Sequence, residues 1–298
     1  MTSLATAAVD AWTAGTLPGR CGVVGGGTMG SGIAHALLLA GSWVVLLERD
    51  PDAAGLARSR VERALQGSVR RGVIDTVQGP VSRLTVTTSG RDLATAGLVV
   101  EAVPEILDVK LETLRAIEDV VATDAVIGTN TSSMSIDLLA HALARPDRLI
   151  GLHFFNPVPA SKLVEVVRGT ATAPSLPEAA AGWVRELGKT PVVVKDAPGF
   201  ASSRLGVALG LEAIRMLQEG VATAEDIDAA MTLGYGHPMG PLKLTDLVGL
   251  DVRLGIARYL ERELGPRFTP PELMVTMVEQ GHLGRKTGHG FYTWDEDR

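Results

Sequence analysis

Cysteine is nearly absent from this chain: one residue, Cys21, in 298. A single thiol closes no internal disulfide, so the fold must rest on a packed core, and sparse cysteine points to a reducing cytoplasm. Cys21 lies in an apolar run and is expected to be buried and inert. Basic charge is not in excess either. Lys and Arg number 28 against 34 Asp and Glu, a net charge of −6, which speaks against a nucleic-acid surface. No apolar run reaches the ~20 residues needed to span a bilayer, so no membrane segment is expected. No Cys/His cluster has metal-ligand spacing. His35, His141, His237, His282 and His289 are scattered and read as structural or surface residues. Internal repeats and low-complexity linkers are missing. Residues 1–19 are Ala- and Thr-rich, lack the charged start and apolar stretch of a signal peptide, and read as a loose N-terminal extension.

What is there is an ordinary globular composition, 46% hydrophobic and 21% charged, in a chain long enough for two domains. Strand-like runs at 20–24, 43–47, 84–87, 98–101, 126–129, 149–152, 163–167 and 191–194 alternate with helical patterns at 28–40, 51–71, 105–121, 135–143 and 177–187. Such alternation predicts an α/β fold: a mostly parallel sheet with helices on both faces. From Pro198 the pattern turns helical, at 198–219, 223–232, 240–263 and 271–280. Asp196-Ala197-Pro198-Gly199 marks the boundary. The expected domains are therefore 20–197, α/β, and 198–298, all-α.

The first strand runs straight into Gly25-Gly26-Gly27-Thr28-Met29-Gly30 and then an apolar helix. This is G-x-G-x-x-G between a strand and a helix. Gly25 permits the tight turn, Gly27 lets the backbone approach a pyrophosphate, and Gly30 lets the helix pack on the strand. The phosphates would lie at the positive end of that helix. The second strand ends in Glu48, where a carboxylate accepts from ribose hydroxyls and repels a 2′-phosphate, favouring NAD over NADP. Arg49 and Arg58 pull the other way, since a nearby Arg can receive that phosphate.

A second constellation is His153-Phe154-Phe155-Asn156-Pro157 with Glu165 in the following β-branched run. A strand that turns and pairs back brings the two side chains together. A carboxylate beside an imidazole fixes the ring and stabilises it when it takes a proton, which suits a general base acting on an alcohol. Ligands of open α/β sheets bind beyond the carboxyl ends of the strands. Three polar clusters fall at such ends: Glu101 to Glu105, Thr129 to Ser133, and His153 with Asn156. More plainly, the Asn130–Ser133 run holds the N-cap of the next helix, and Glu105 is a first-turn acid on a helix dipole.

Taken together these strings resemble the L-3-hydroxyacyl-CoA dehydrogenases, a family that includes bacterial 3-hydroxybutyryl-CoA dehydrogenases. The resemblance rests on Gly25 to Gly30, Glu101 to Glu105, Asn130 to Ser133, Gly151 to Pro157, Lys162 to Val166, Asp196 to Phe200, Glu225 to Asp228, His237 to Pro241 and Leu283 to Gly288. It implies a Rossmann domain followed by a helical substrate and dimerisation domain, and hence a homodimer. It implies reversible, NAD-dependent oxidation of a 3-hydroxyacyl-CoA thioester. By that resemblance His153 is the general base and Glu165 orients it. Ser132 touches both the substrate oxygen and the cofactor. Thr28, Met29, Glu105, Lys110, Asn130, Asn156 and Lys286 join the glycines and Glu48 at NAD, and Arg71 meets CoA. Taken alone, Lys110 reads as a solvated helix charge and Lys286 as a loop cation.

Two positions depart from the family. Ser203 stands where a catalytic-site Asn normally donates to the substrate; it is shorter and offers a hydroxyl instead of an amide. Ala64 replaces a hydroxyl at CoA, on a helix that carries Arg58, Arg60, Arg63, Arg70 and Arg71. Those departures keep open a specialised relative acting on a polar or acyl-carrier-protein-bound substrate. A non-catalytic dinucleotide sensor on the same scaffold is a third reading.

Overall fold

The computed structural model describes residues 15–294. It divides into two compact units between Ala197 and Pro198. In the first, β1 (Arg20–Val24), β2 (Trp43–Leu47), β3 (Leu84–Thr87), β4 (Leu98–Glu101), β5 (Val126–Thr129), β6 (Leu149–Phe154), β7 (Leu163–Arg168) and β8 (Thr190–Lys195) form one sheet. Their order is β3-β2-β1-β4-β5-β6-β7-β8. Every pair is parallel except β6 with β7. The strand order reverses between β1 and β4. Beyond the carboxyl ends of those two strands lies the crevice where such sheets bind ligands.

The helices of this unit are α1 (Thr28–Leu39), α2 (Pro51–Arg70), α3 (Gln78–Ser82), α4 (Leu107–Glu118), α5 (Ile136–Ala140) and α6 (Leu176–Glu186). Leu98, Val100, Val126, Ile150, Leu152, Phe154, Val164 and Val166 share one apolar core with residues of α1, α2 and α6. Alternate strand positions point the other way. Glu101, Thr129, His153 and Glu165 all have that opposite parity, on the face where α4 and α5 meet the sheet. α2 shows why the sequence obeys: Asp50 caps it by accepting from Ala53 N at 2.7 Å, and Pro51 opens its first turn. Ala57, Val61 and Leu65 fall on its buried stripe, each full Val or Leu burial worth about 1.5–3 kcal/mol. Gly72, at φ +70°, ends it.

The structure departs from the sequence reading at several places. Residues 15–19 are not a loose extension: Leu17 is buried in the core and its N–H donates to Glu186 Oε1 at 3.0 Å. Residues 1–14 of the expected extension lie outside the described residues. β6 runs on to Phe154, because the antiparallel partner β7 keeps supplying pairs through His153 and Phe154. α3 had no sequence signal of its own. Helix 105–121 contracts to Leu107–Glu118, and 135–143 to Ile136–Ala140.

The second unit is helical, with α7 (Ser202–Gln218), α8 (Ala224–Gly234), α9 (Pro241–Val248), α10 (Leu250–Leu264) and α11 (Glu272–Glu279) around its own apolar core. The single helix expected over 240–263 is two, broken at Gly249, whose φ of +101° no helix tolerates. Near the C-terminal end, the buried carboxylate of Asp246 accepts from Phe291 N, Tyr292 N and Trp294 Nε1. The rings of His282 and His289 meet edge-on at 4.4 Å, so these two histidines are neighbours rather than scattered.

His35 gives the first unit an acid sensitivity. It is buried on α1, with Nε2 bonded to Ser68 Oγ of α2 at 2.8 Å. Burial, and then the Arg71 and Lys189 cations, push its pKa from 6.5 down to about 4. Between those values the unfolded chain binds more protons than the folded one, so stability falls as pH falls through that window and is fully present above it. The span is worth about 3 kcal/mol. Melting temperatures of wild type and His35→Gln, followed from neutral pH to about pH 4, should show a shallower acid loss in the variant. Parallel curves would remove His35 from the account.

Candidate active site

The glycine loop is a close fit of backbone to backbone. Gly25 sits at φ +93°, and a Cβ there would lie 2.8 Å from Ala102 O, beyond the end of β4. A Cβ on Gly30 would lie 1.8 Å from Gly25 O. Gly27 is the opposite case: a Cβ added to it meets nothing within 4 Å. It is also the N-cap of α1, with no side chain capping the first turn, so the leading N–H groups at Thr28 and Met29 are not taken by a cap. Gly26, which the motif leaves unspecified, is constrained as well. A Cβ there would meet Ala57 Cβ at 2.3 Å, and its N–H donates to Glu48 Oε1 at 2.6 Å. A cleft of about 900 Å³ opens over this loop, lined by Gly25, Gly27, Thr28, Glu48 and Arg60 among others. Bare backbone, an uncapped helix start and a carboxylate at the end of β2 fit a dinucleotide.

Both arginines that pull against NAD, Arg49 and Arg58, pair with carboxylates. Arg49 pairs with Asp50 at 2.9 Å, and Arg58 with Glu62 at 3.6 Å. Arg60 donates to Gly26 O at 3.2 Å, and Arg71 to Ser68 Oγ at 3.3 Å at the far end of α2. The α2 arginines are thus not one uniform basic face.

His153 and Glu165 are directly paired residues of the antiparallel β6–β7 ladder. His153 Nδ1 lies 2.8 Å from Glu165 Oε2, both side chains being buried. Phe155 packs on the imidazole with ring centroids 4.3 Å apart. With Glu165 as acceptor, Nδ1 carries the ring proton and the basic lone pair belongs to Nε2. Asn130 Oδ1 accepts from Phe154 N at 2.9 Å, pinning the end of β6 just past the histidine. Asn156 is exposed in the turn that follows.

Glu101, Glu105 and Lys110 form a charged cluster beyond the end of β4 that departs from the plain readings of the last two. Glu105 is not in the first turn of a helix; it precedes α4 and reaches across to the loop after β5. Its Oε1 accepts from Thr131 Oγ1 (2.6 Å), Ser132 N (2.9 Å) and Ser133 N (3.2 Å). Burial works to raise its pKa, but Lys110, Thr131 and the Ser132 N–H outweigh it and hold the carboxylate below its ordinary range. Lys110 is not a solvated helix charge but only 1% exposed. Its neighbours on the buried face of α4 are Leu114 and Ile117, and a lysine in register with such a stripe was the signal that went unread. Its Nζ meets Glu101 Oε1 at 2.7 Å and Glu105 Oε2 at 3.2 Å. The N-cap of α5 is Ser135, accepting from Leu138 N, and none of the residues from Asn130 to Ser133.

The remaining candidates lie in the second unit. Ser203 is in the first turn of α7, after a turn in which Gly199 (φ +73°) and Phe200 (φ +49°) are both left-handed. Lys286 is held by both carboxylate oxygens of Asp251 at 2.6 Å. Among the described residues no group of three or more His, Cys, Asp or Glu gathers as a metal site would.

The resemblance read from the motifs extends over the whole arrangement. Residues 20–197 match the family described as 3-hydroxyacyl-CoA dehydrogenase, NAD binding domain, and 199–294 match its C-terminal domain. A 3-hydroxybutyryl-CoA dehydrogenase of Mycobacterium tuberculosis (strain ATCC 25618 / H37Rv) is 44% identical, over 92% of this chain and 98% of its own. The mitochondrial hydroxyacyl-coenzyme A dehydrogenase of Sus scrofa is 39% identical over 91% of this chain and 90% of its own. The crystal structure of (S)-3-hydroxybutyryl-CoA dehydrogenase from Ralstonia eutropha superposes with a TM-score of 0.89 at 39% identity, covering 94% of this chain and all of that one. Glycine loop, His–Glu pair and helical second unit all fall inside these matches, and the chain belongs to the 3-hydroxyacyl-CoA dehydrogenase family.

Proposed function

We propose that the protein is an NAD-dependent dehydrogenase interconverting (S)-3-hydroxyacyl-CoA and 3-oxoacyl-CoA thioesters of short chain, as in 3-hydroxybutyryl-CoA and acetoacetyl-CoA. The observation that carries it is the buried His153–Glu165 contact of 2.8 Å. In the oxidative direction Nε2 of His153 takes the hydroxyl proton while the C3–H bond breaks and the C3–O bond becomes a carbonyl. Glu165, bonded to Nδ1, stabilises the imidazolium that results. Bound NAD supplies the acceptor for the hydride leaving C3. Gly25, Gly27, Gly30, Thr28 and Met29 would hold the pyrophosphate and Glu48 the adenosine ribose. Glu105, Asn130, Ser132, Asn156 and Lys286 would serve the nicotinamide half. Ser132 would also touch the substrate oxygen, with Ser203 and Arg71 reaching the thioester. An intact base and orienting partner weigh against a non-catalytic sensor.

A homodimer through the second unit accords with this reading, since Leu205, Leu233 and Tyr235 are 71%, 86% and 79% exposed there. The protein is assigned to the cytoplasm. Its one cysteine is buried and pushed up to about 12 by desolvation, a thiol suited to neither disulfide nor redox work. Among the described residues no helix is long and apolar enough to cross a membrane.

The test is NADH consumption with acetoacetyl-CoA, run beside NADPH and beside the same acyl group on a carrier protein. Rapid reduction that prefers NADH and CoA is the expected result. NADH binding without turnover on any of these thioesters would sink the dehydrogenase reading, and a preference for the carrier protein would move the substrate.

A further inference from the structure

Two carboxylates and one ammonium meet at the ends of β4 and α4, and two of the three side chains are shut away from water. Glu101 is 0% and Lys110 1% exposed. Burying such charges is expensive, and an apolar pair of similar volume commonly serves stability as well or better. The cluster therefore asks for a reason other than stability, and its hydrogen bonds supply one.

Glu101 Oε1 accepts from Lys110 Nζ at 2.7 Å and from Val103 N at 2.8 Å. Its Oε2 accepts from Thr129 Oγ1, the last residue of β5, at 2.6 Å. Lys110 Nζ donates to Glu101 Oε1 and to Val103 O (3.4 Å), and forms an ion pair with Glu105 Oε2 at 3.2 Å. Glu105 in turn gathers Thr131, Ser132 and Ser133 onto Oε1. A partly exposed carboxylate on a loop has many orientations; one anchored on its other oxygen by a buried ammonium has few. The path runs without a gap from the sheet interior to the Ser132 backbone.

We infer that Glu101 and Lys110 are positioning residues: they fix the Glu105 carboxylate, and through it the backbone of the loop that carries Ser132. Lys110 then serves the reaction through Glu105. The part of this that concerns catalysis rests on the dehydrogenase reading above; the part that concerns the loop does not.

The test is a mutant cycle on the full-length protein with three readouts. Lys110→Met and the charge-neutral double variant Glu101→Gln/Lys110→Met are each made with Glu105 intact and with Glu105→Ala. The double variant guards against a fold lost by stranding one buried charge. NADH affinity is measured by titration without substrate, kcat and KM with acetoacetyl-CoA, and amide exchange across 130–134 on the protein alone. With Glu105 present, kcat should fall by roughly 10- to 100-fold, the scale of a misplaced catalytic group. NADH affinity should fall no further than Glu105→Ala alone lowers it, and exchange at Ser132 and Ser133 should quicken. With Glu105→Ala, the same substitutions should change kcat by no more than about twofold, because the route is already cut. Loss of NADH affinity with kcat retained would overturn the inference and make Lys110 a cofactor contact. Equal losses in both backgrounds would overturn the route through Glu105. If wild type fails to turn over, the dehydrogenase reading falls, while unchanged amide exchange in the variants would count against the positioning pair by itself.

Discussion

His153→Gln is expected to lower kcat by about 10²–10⁴-fold, the range contributed by a positioned general base, while NADH binding and melting temperature stay close to wild type. Glutamine keeps a polar side chain of similar reach but cannot take a proton at neutral pH. The glycine loop follows β1 and His153 sits on β6, three strands along the sheet, so cofactor binding has no reason to fail with it. Glu165→Gln should lie between variant and wild type. The ring keeps a partner at 2.8 Å, but the imidazolium formed on proton transfer loses its counter-charge in a buried site. Steady-state kinetics on both variants, with NADH titration as the control, decide the matter. Turnover within about tenfold of wild type in His153→Gln, well short of what a lost base costs, would remove His153 from the role.

The second large effect separates two glycines of one motif. Gly30→Ala places a methyl 1.8 Å from Gly25 O, backbone against backbone, where no side chain can swing aside. The loop or α1 must shift, so both stability and NADH affinity should suffer; overpacking of this kind costs about 1–3 kcal/mol. Gly27→Ala should behave differently. Its φ of −63° suits alanine, and its Cβ meets no protein atom within 4 Å. Stability should stay within about 0.5 kcal/mol. NADH affinity should nonetheless drop by about tenfold or more, because the new methyl stands where the backbone must approach the pyrophosphate. Thermal melts and NADH titration on the two variants form the experiment. Undiminished NADH binding in Gly27→Ala would mean that the dinucleotide does not cross this loop.

The contrast between those glycines shows what the sequence discloses. Gly25 and Gly30 were legible because a strand, a tight turn and a helix follow one another within a few residues. The need for no Cβ at Gly30 arises from Gly25 itself. Gly26 was not legible. Its constraint comes from Ala57 on α2 and Glu48 at the end of β2, brought to it only when β2 pairs with β1. The residue types of the His153–Glu165 pair were legible too, and so was the idea of a strand turning back. That their side chains face the same side depends on the register that sets His153 opposite Glu165, and a slip by one residue would point one of them into the α1 core.

Lys110 and Glu105 mark the other limit. Taken alone, Lys110 looked like a solvated helix charge and Glu105 like a first-turn acid on a helix dipole. The packing of α4 on β4 and β5 turned the Lys110 face inward, and the start of α4 at Leu107 left Glu105 free to reach the Ser132 loop. By itself, the sequence determined the alternation of elements, the glycine turn and the residue types of the His–Glu pair, since these follow from periodicity, φ preference and side-chain type over short distances. The tertiary structure alone decided which charges are buried and what each carboxylate holds. Burial and hydrogen-bond partners depend on which distant strands and helices pack together, and no local pattern fixes that.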